Sequence, residues 1–377
     1  MTEETKIVIN ALQYRPNGSG ISITLRELFG RFTSETKRKC RVILPKDSPV
    51  FPSSGKTEII EIPYRYEEGI KRVAFQSFNM GKYCKNTILL TIDSKVPFFL
   101  PSSCRLIPLI TDLAVFRLSE TYQKSREILW KAQYKYLRNR ATHFLTISEF
   151  TKAEMVDILG IPREKIDIIP SAASADMKEV IDSARLKEVR QKYSLPANYI
   201  LFVGNFNPRK NLERLISAFD LWKEQTSMKH ELVIAGGTGW KFSAESALRS
   251  IKHKGEIHFL DYVADLDMAA LYSAADLFAF PTLYEGFGLP IIEAQLCGTP
   301  VLTSNISAMP EVGGEGALYV NPYDVATIAD HMEKVLVDNA LRNKIVCKGF
   351  ENAKRFSWEA SARKLDCIVE RIIEEQQ

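Results

Sequence analysis

The segment Thr282–Ser304 reads TLYEGFGLPIIEAQLCGTPVLTS. It links one apolar run, DLFAFP (Asp276–Pro281), to another, GTPVLTS (Gly298–Ser304), through a glycine-bearing loop and a short apolar stretch. Pro290 suits the first helical position and Gly298 the residue just past a helix end, so the spacing predicts a helix over about Pro290–Cys297. Unpaired backbone N–H groups at such a helix start attract phosphate or negatively charged oxygen, and glycines let a ligand come close. Glu285 in the loop and Glu293 in the first turns can both face that pocket, where carboxylates accept hydrogen bonds from vicinal hydroxyls of a sugar or ribose. The bland alternative is a strand–loop–helix corner with two solvated glutamates. Glycines, proline and strand context together favour the functional reading.

Outward from this segment, short apolar runs alternate with helical stretches. The second half carries YILFVG (Tyr199–Gly204), HELVIAGG (His230–Gly237), EIHFL (Glu256–Leu260) and ALYVNP (Ala317–Pro322). The first half carries KIVIN (Lys6–Asn10), CRVIL (Cys40–Leu44), TEIIEI, NTILLTI, RLIPLI (Arg105–Ile110), THFLTIS (Thr142–Ser148) and KIDIIP (Lys165–Pro170). Strands alternating with helices imply parallel βαβ units and a layered α/β architecture. Ala172–Lys192 reads as a charged helical stretch, with the domain boundary near residues 175–195. The expected plan is two facing Rossmann-like domains, 1–180 and 190–355, and a terminal helical segment, 356–377.

Bulk composition narrows the class. A chain of 377 residues is long enough for two cores. Its net charge of +4 permits anionic ligands but falls short of a nucleic-acid footprint. The six cysteines show no CxxC pair and read as free thiols in a reducing cytoplasm. The start, MTEETKIVINAL, lacks the basic-then-apolar pattern of a signal peptide. No run approaches the roughly 20 apolar residues of a membrane span. A basic, aromatic helix (Trp130, Lys131, Tyr134, Lys135, Tyr136, Arg138, Arg140) offers a peripheral membrane face, against the alternative of a core stripe with solvated charge.

A second constellation is FVGNFNPRKNLERLISAF (Phe202–Phe219), a strand running into Gly204, a loop presenting Arg209 and Lys210, and a helix from about Asn211. Adjacent cations on such a loop suit a diphosphate whose leaving oxygen gains charge; a solvated surface pair is the alternative. Asp265-Leu266-Asp267 has metal-site spacing, but it precedes the apolar helix MAALYSAADL, where Asp265 serves better as N-cap and Asp267 in the first turn. No metal is expected. GGTG (Gly236–Gly239) lacks the full dinucleotide spacing and reads as a tight loop beside a nucleotide.

Taken together, E-G-F-G-L-P-x-x-E-A-x-x-x-G-x-P-V and V-G-x-x-x-P-R-K-N resemble the donor-site motifs of the family 4 retaining glycosyltransferases, many of them mannosyltransferases, which have the GT-B fold. The resemblance implies that Glu293 binds the ribose, Glu285 holds the transferred sugar, and Gly286, Phe287, Gly288 and Leu289 line sugar and diphosphate. Lys210 and Arg209 would grip the diphosphate, with Gly204 before them and Tyr262 and Val263 beside the nucleobase. Phe356–Ile372 resembles the family's terminal helix, which crosses back onto the first domain. ITDLAVFRLSETY resembles the acceptor-side strand, but Thr111–Asp112 stands where most relatives carry a histidine before the aspartate. None of His143, His230, His253, His258 and His331 falls in a comparable place. In RPNGSGISIT only Gly20 keeps the family's glycine-loop pattern.

The implied activity is transfer of a hexose from a nucleotide diphosphate sugar to a hydroxyl of a glycan or lipid-linked acceptor, with no cofactor. GDP-mannose is the expected donor, UDP- and dTDP-sugars the alternatives. The expected location is cytoplasmic or at the inner membrane face. A catalytically silent nucleotide-sugar binder, a GT-B-type epimerase and a sugar phosphorylase are the rival readings. The silent reading draws on Thr111, Ser22 and Asn205, and the missing histidine counts against an epimerase.

Overall fold

The computed structural model describes residues 6–15, 20–93, 96–237, 244–260 and 262–375, arranged as two compact units, Met1–Ser171 with Phe356–Gln377, and Ala172–Arg355. The first unit holds β1 (Lys6–Asn10), β2 (Cys40–Pro45), β3 (Thr57–Ile62), β4 (Thr87–Ile92), β5 (Arg105–Ile110), β6 (Phe144–Thr146) and β7 (Ile166–Ile168). The second holds β8 (Tyr199–Val203), β9 (Glu231–Ala235), β10 (Ile257–Leu260), β11 (Leu277–Phe280), β12 (Val301–Ser304) and β13 (Leu318–Val320). The sheet orders are β3-β2-β1-β4-β5-β6-β7 and β10-β9-β8-β11-β12-β13, and every neighbouring pair is parallel.

These orders follow from the strand chemistry. Parallel strands covered by helices on both faces must be apolar throughout, and Tyr199–Phe202 and Leu277–Phe280 are buried at every position. Each sheet reverses winding direction once, at β1/β4 and at β8/β11. There the crossover helices leave to opposite faces, and the loops at the strands' C-terminal ends open a crevice, the usual ligand position in such sheets. The second core centres on Trp222, Tyr199, Tyr272, Phe202, Phe219, Phe278 and Phe280, all fully buried. In the first, Phe29, Phe32 and Phe144 are buried as deeply.

The terminal helix, Trp358–Glu374, belongs to the first unit. Its apolar stripe, including Leu365, Val369 and Ile373, is buried. Its polar edge pairs Glu370 with Arg38 (2.5 Å), Asp366 with Thr36 (2.7 Å) and Glu359 with Arg31 (2.9 Å). Ser361 Oγ donates to the Pro170 carbonyl at 2.6 Å, clamping the helix beside the end of the first unit.

Several local expectations are corrected. In Ala172–Lys192 only Ser183–Lys192 is helical. The basic, aromatic helix of the first half spans Lys124–Arg140. The helix after β11 spans Leu289–Leu296, with Gly288 as N-cap and Pro290 in its second position. The N-cap before Asp265 is Ala264; Asp265 opens the helix, and Asp267 lies in the first turn. Asp267 is buried and collects Arg185, Lys192 (2.7 Å) and the Tyr193 hydroxyl (2.6 Å), which ties the Ser183–Lys192 helix to its neighbour. The aromatics of the Lys124–Arg140 helix face protein: Tyr134 is buried and donates to the Asp112 carbonyl, and Trp130 packs on Tyr122 at 5.5 Å. Gly20 heads the helix Gly20–Thr24, and a Cβ there would meet nothing within 4 Å, so sterics demand no glycine. Pro16–Ser19 of that loop, and Thr238 and Gly239 of GGTG, lie outside the described residues.

Phe219 and Trp222 share a helix face with ring centroids 5.9 Å apart. Truncating Phe219 to alanine in this close-packed core is expected to cost about 3–5 kcal/mol, read as an earlier urea transition by circular dichroism. An unmoved transition would contradict the packing described.

Candidate active site

The loops after β8 and β11, the two strands at the second unit's switch point, carry the candidate residues. After β8 the chain turns at Gly204 (φ 152°), then forms a single tight helical turn, Pro208–Lys210. Asn211 follows in the left-handed conformation (φ 60°), which asparagine tolerates better than most residues. Its side-chain amide donates to the carbonyls of Pro281 (2.9 Å) and Pro322 (2.7 Å). The Arg209 carbonyl accepts from the Leu283 N–H (2.7 Å) and the Thr282 hydroxyl (2.8 Å). Three of these bonds lock the basic loop to the loop that carries Glu285, and the fourth ties it to the segment after β13.

The result is a tight charge cluster. Lys210 Nζ lies 2.7 Å from Glu285 Oε1, and Arg209 Nε 3.6 Å from the same oxygen. Lys210 is only 8% exposed, and its ammonium also sits over the Phe280 ring, 4.5 Å from the centroid. Burial pushes the Glu285 carboxyl up, but the charges of Arg209 and Lys210 outweigh it and hold that group below its usual range. The Glu285 N–H donates to Ser307 Oγ at 3.1 Å, orienting the loop from the opposite side. Two cations around one carboxylate leave a net positive charge beside the start of the Leu289–Leu296 helix.

Glu293, on that helix, has the opposite electrostatics. Burial raises its pKa, only partly offset by the Tyr272 hydroxyl, which donates to Oε2 at 2.9 Å, and by Lys210. Its anionic form therefore awaits further donors, such as vicinal hydroxyls. Gly286, Phe287 and Gly288 are buried around the helix start and Leu289 is half-buried. Gly288 has φ 107°, and a Cβ there would come within 2.7 Å of the Met309 side chain.

Gly204 and Gly236 show why the strand ends need glycine. A Cβ on Gly236 (φ 151°) would lie 2.2 Å from the Gly204 carbonyl oxygen, so the loops after β8 and β9 can cross only without that atom. Val263 is buried, whereas Tyr262 is 62% exposed and free to pack on a planar ligand. In the first unit, Thr111 is engaged internally: its N–H and hydroxyl both donate to Asp93 Oδ1, at 3.0 and 2.6 Å. Asp112 accepts from the N–H of Ala114 (3.0 Å), the first residue of the short turn Ala114–Arg117.

The structure brings the sequence candidates Arg209, Lys210 and Glu285 together and sets Tyr272 on Glu293, whereas Asn211, Tyr272 and Ser307 were not picked from the sequence. Asn211 carried a usable signal, since asparagine tolerates φ > 0 better than most residues. Tyr272 sits in a helix read only as apolar, and Ser307 lies 22 residues beyond its partner.

Two winding-reversed parallel sheets with a basic, carboxylate-bearing crevice at the second switch point define the GT-B class of glycosyltransferase. The comparisons extend this. The family described as "Glycosyl transferases group 1" matches residues 186–352. Over 268 residues the chain is 34% identical to the O-antigen chain mannosyltransferase B of Escherichia coli, covering 70% of this chain and 69% of that protein. The chain belongs to the group 1 glycosyl transferases and is a glycosyltransferase. Among solved structures, sucrose-phosphate synthase from Thermosynechococcus elongatus aligns over 98% of this chain and 100% of its own (TM-score 0.77, 19% identity). HepE of Anabaena, solved with UDP-glucose, aligns over 97% and 99% (TM-score 0.75, 15% identity). Both similarities are of fold.

The raised Glu293 pKa makes a stability prediction. A group whose folded pKa is raised adds stability below its unfolded pKa, and that stability is lost as pH rises through the folded value. At neutral pH the buried carboxylate is a burden that Glu293→Gln removes while keeping an acceptor for Tyr272. The variant's Tm at pH 7.5 should exceed wild type by roughly 2 °C or more, the gap closing toward pH 4. A lower Tm at pH 7.5 would refute this electrostatic account.

Proposed function

We propose that this protein is a retaining, metal-independent hexosyltransferase that takes its sugar from a nucleotide diphosphate sugar and builds a cell-surface polysaccharide. The observation that carries the reading is the Arg209–Lys210–Glu285 cluster at the β8/β11 switch point. An O-antigen mannosyltransferase as a relative supports the polysaccharide setting and mannose as the sugar, with GDP-mannose the donor in this reading. The UDP-glucose complex of a protein with this fold supports a nucleotide-sugar donor and keeps UDP-sugars in view.

In this reading the diphosphate meets Lys210, Arg209 and the start of the Leu289–Leu296 helix, the ribose hydroxyls donate to Glu293, and the sugar hydroxyls donate to Glu285. The bond from the anomeric carbon to the diphosphate oxygen breaks, and its electron pair stays on the phosphate, whose growing charge the two cations stabilise. The acceptor hydroxyl oxygen bonds to the anomeric carbon on the face the phosphate leaves. Its proton passes to a phosphate oxygen, so no protein base is required. Because Glu285 holds Lys210 in place before the donor arrives, little reorganisation accompanies charge development.

A second reading, a nucleotide-sugar binder with weak transfer, draws on the Thr111 hydroxyl, which is bound to Asp93 and stands where most relatives carry histidine. A thermal-shift panel of GDP-, UDP- and dTDP-sugars, followed by transfer and hydrolysis assays, separates the two. The donor should raise Tm, by about 2.7 kcal/mol of added stability at a hundred times its Kd. Lys210→Met should lower kcat by about 10²-fold or more with a smaller change in donor affinity. Binding of a donor without turnover on any acceptor favours the second reading; no shift with any nucleotide-sugar overturns both.

A further inference from the structure

Three lysines stand side by side at one edge of the first unit. The parallel register sets Ile7 beside Cys40 and Cys40 beside Thr57, and the residue before each of these is a lysine: Lys6, Lys39 and Lys56. Adjacent strands run about 4.8 Å apart, so the lysines form a row across the N-terminal ends of β1, β2 and β3. Lys37, two residues before Lys39, adds a fourth cation. All four side chains are exposed, so burial does not require them. Like charges placed opposite one another on neighbouring strands are destabilising, which makes a row of one sign a feature in need of a partner.

The row borders a recess. A cavity of about 370 Å³ is lined by Lys6, Lys37, Lys39, Lys56, Arg41 and Glu58, together with buried Cys40. That volume lies in the range of small-molecule sites. Among the described residues Glu58 is the one carboxylate lining it, and Arg41 engages it through two bonds, at 2.9 and 2.7 Å. Two acids of the terminal helix reach the same segment and are engaged as well. Glu370 binds Arg38 at 2.8 and 2.5 Å, and Asp366 accepts from the Thr36 hydroxyl at 2.7 Å. Positive charge therefore exceeds negative charge around the cavity.

The arrangement selects a ligand by its chemistry. Each ammonium offers three donors, and phosphate oxygens accept strong charge-assisted hydrogen bonds from them. A row across three strands spans about 10 Å, wider than a single phosphate group and suited to two or three in a chain. No large apolar side chain lines the cavity, so nothing there receives an acyl tail. The site is also distinct from the crevices described above, which open at the C-terminal ends of the strands.

We propose that the N-terminal edge of the first sheet binds a small soluble di- or triphosphate, inorganic or carried by a nucleotide, through Lys6, Lys39 and Lys56, with Lys37 beside them. The anion neutralises the row and ties the starts of three strands together. The inference does not depend on which donor the second unit binds.

The test is isothermal titration of the full chain with inorganic pyrophosphate at about 0.1 M salt, where long-range attraction is screened. Two sites are expected, because the Lys210 loop also takes a diphosphate in the reading above. Lys39→Glu with Lys56→Glu should weaken one site by about tenfold or more and spare the other, and Lys210→Met should do the reverse. Failure of the donor-site reading then shows as absence of the Lys210-dependent site alone. Lys39→Gln with Lys56→Gln is the milder pair, and melting curves of both pairs should match wild type because the side chains are exposed. Pyrophosphate binding indifferent to both pairs overturns the proposal, as does sulfate binding the row as tightly, which marks general ionic attraction. Tighter binding of a nucleoside triphosphate than of inorganic triphosphate assigns the row to a nucleotide, and equal binding to the inorganic anion. Binding to phosphatidylglycerol vesicles that the Lys39→Glu, Lys56→Glu pair abolishes and pyrophosphate does not compete makes the row a lipid contact and overturns the soluble-anion site.

Discussion

The second unit depends on a lysine ammonium and a glutamate carboxylate held 2.7 Å apart where water is nearly absent. Either group alone in that position would incur a large desolvation cost. Together, with Arg209 alongside, they remain charged and leave a surplus of positive charge at the crevice. Much of the local structure serves to keep them there: the left-handed Asn211, its amide on two proline carbonyls, the Arg209 carbonyl bound twice by the neighbouring loop, and Ser307 holding the Glu285 backbone.

The position of that pair is a consequence of topology. β8 and β11 are adjacent in space but separated by more than seventy residues, because the sheet grows outward in both directions from this seam. Loops at the C-terminal ends of the two strands are therefore neighbours. On the other side of β8, Gly204 and Gly236 at the ends of β8 and β9 cross at a distance that admits no side chain. The first unit repeats the winding at β1/β4, while its candidate residues follow β5, where Thr111 donates twice to Asp93 and Asp112 accepts from the Ala114 N–H.

Glu285 and Glu293 lie eight residues apart and were both read from the sequence as acceptors for ligand hydroxyls, one for the sugar and one for the ribose, and their environments differ as well. Glu285 has two cations and stays ionised easily. Glu293 has burial, one hydroxyl and a more distant charge, and ionises with difficulty. Such a split arises where two acidic groups do different work, one organising charge and the other waiting for a ligand's hydroxyls. No local sequence feature distinguishes them, because the deciding neighbours, Lys210 and Tyr272, are remote in the chain.

The sequence by itself determined the fold class and most strands, since an all-apolar run bounded by glycine or proline in an alternating series can be little other than a buried parallel strand. It also determined the helix start near Gly288–Pro290 and the basic loop at Arg209–Lys210, where residue types carry their own conformational and charge preferences. Only the tertiary structure decided which groups meet. Asp267, read as a helix-end carboxylate, became a buried hub for Arg185, Lys192 and Tyr193, and the aromatics of the Lys124–Arg140 helix turned inward while Phe78 and Phe99 turned out. The physical reason is common to all of these cases. Local propensity sets backbone conformation within a few residues, whereas burial and ion pairing depend on partners that only the packing of distant segments supplies.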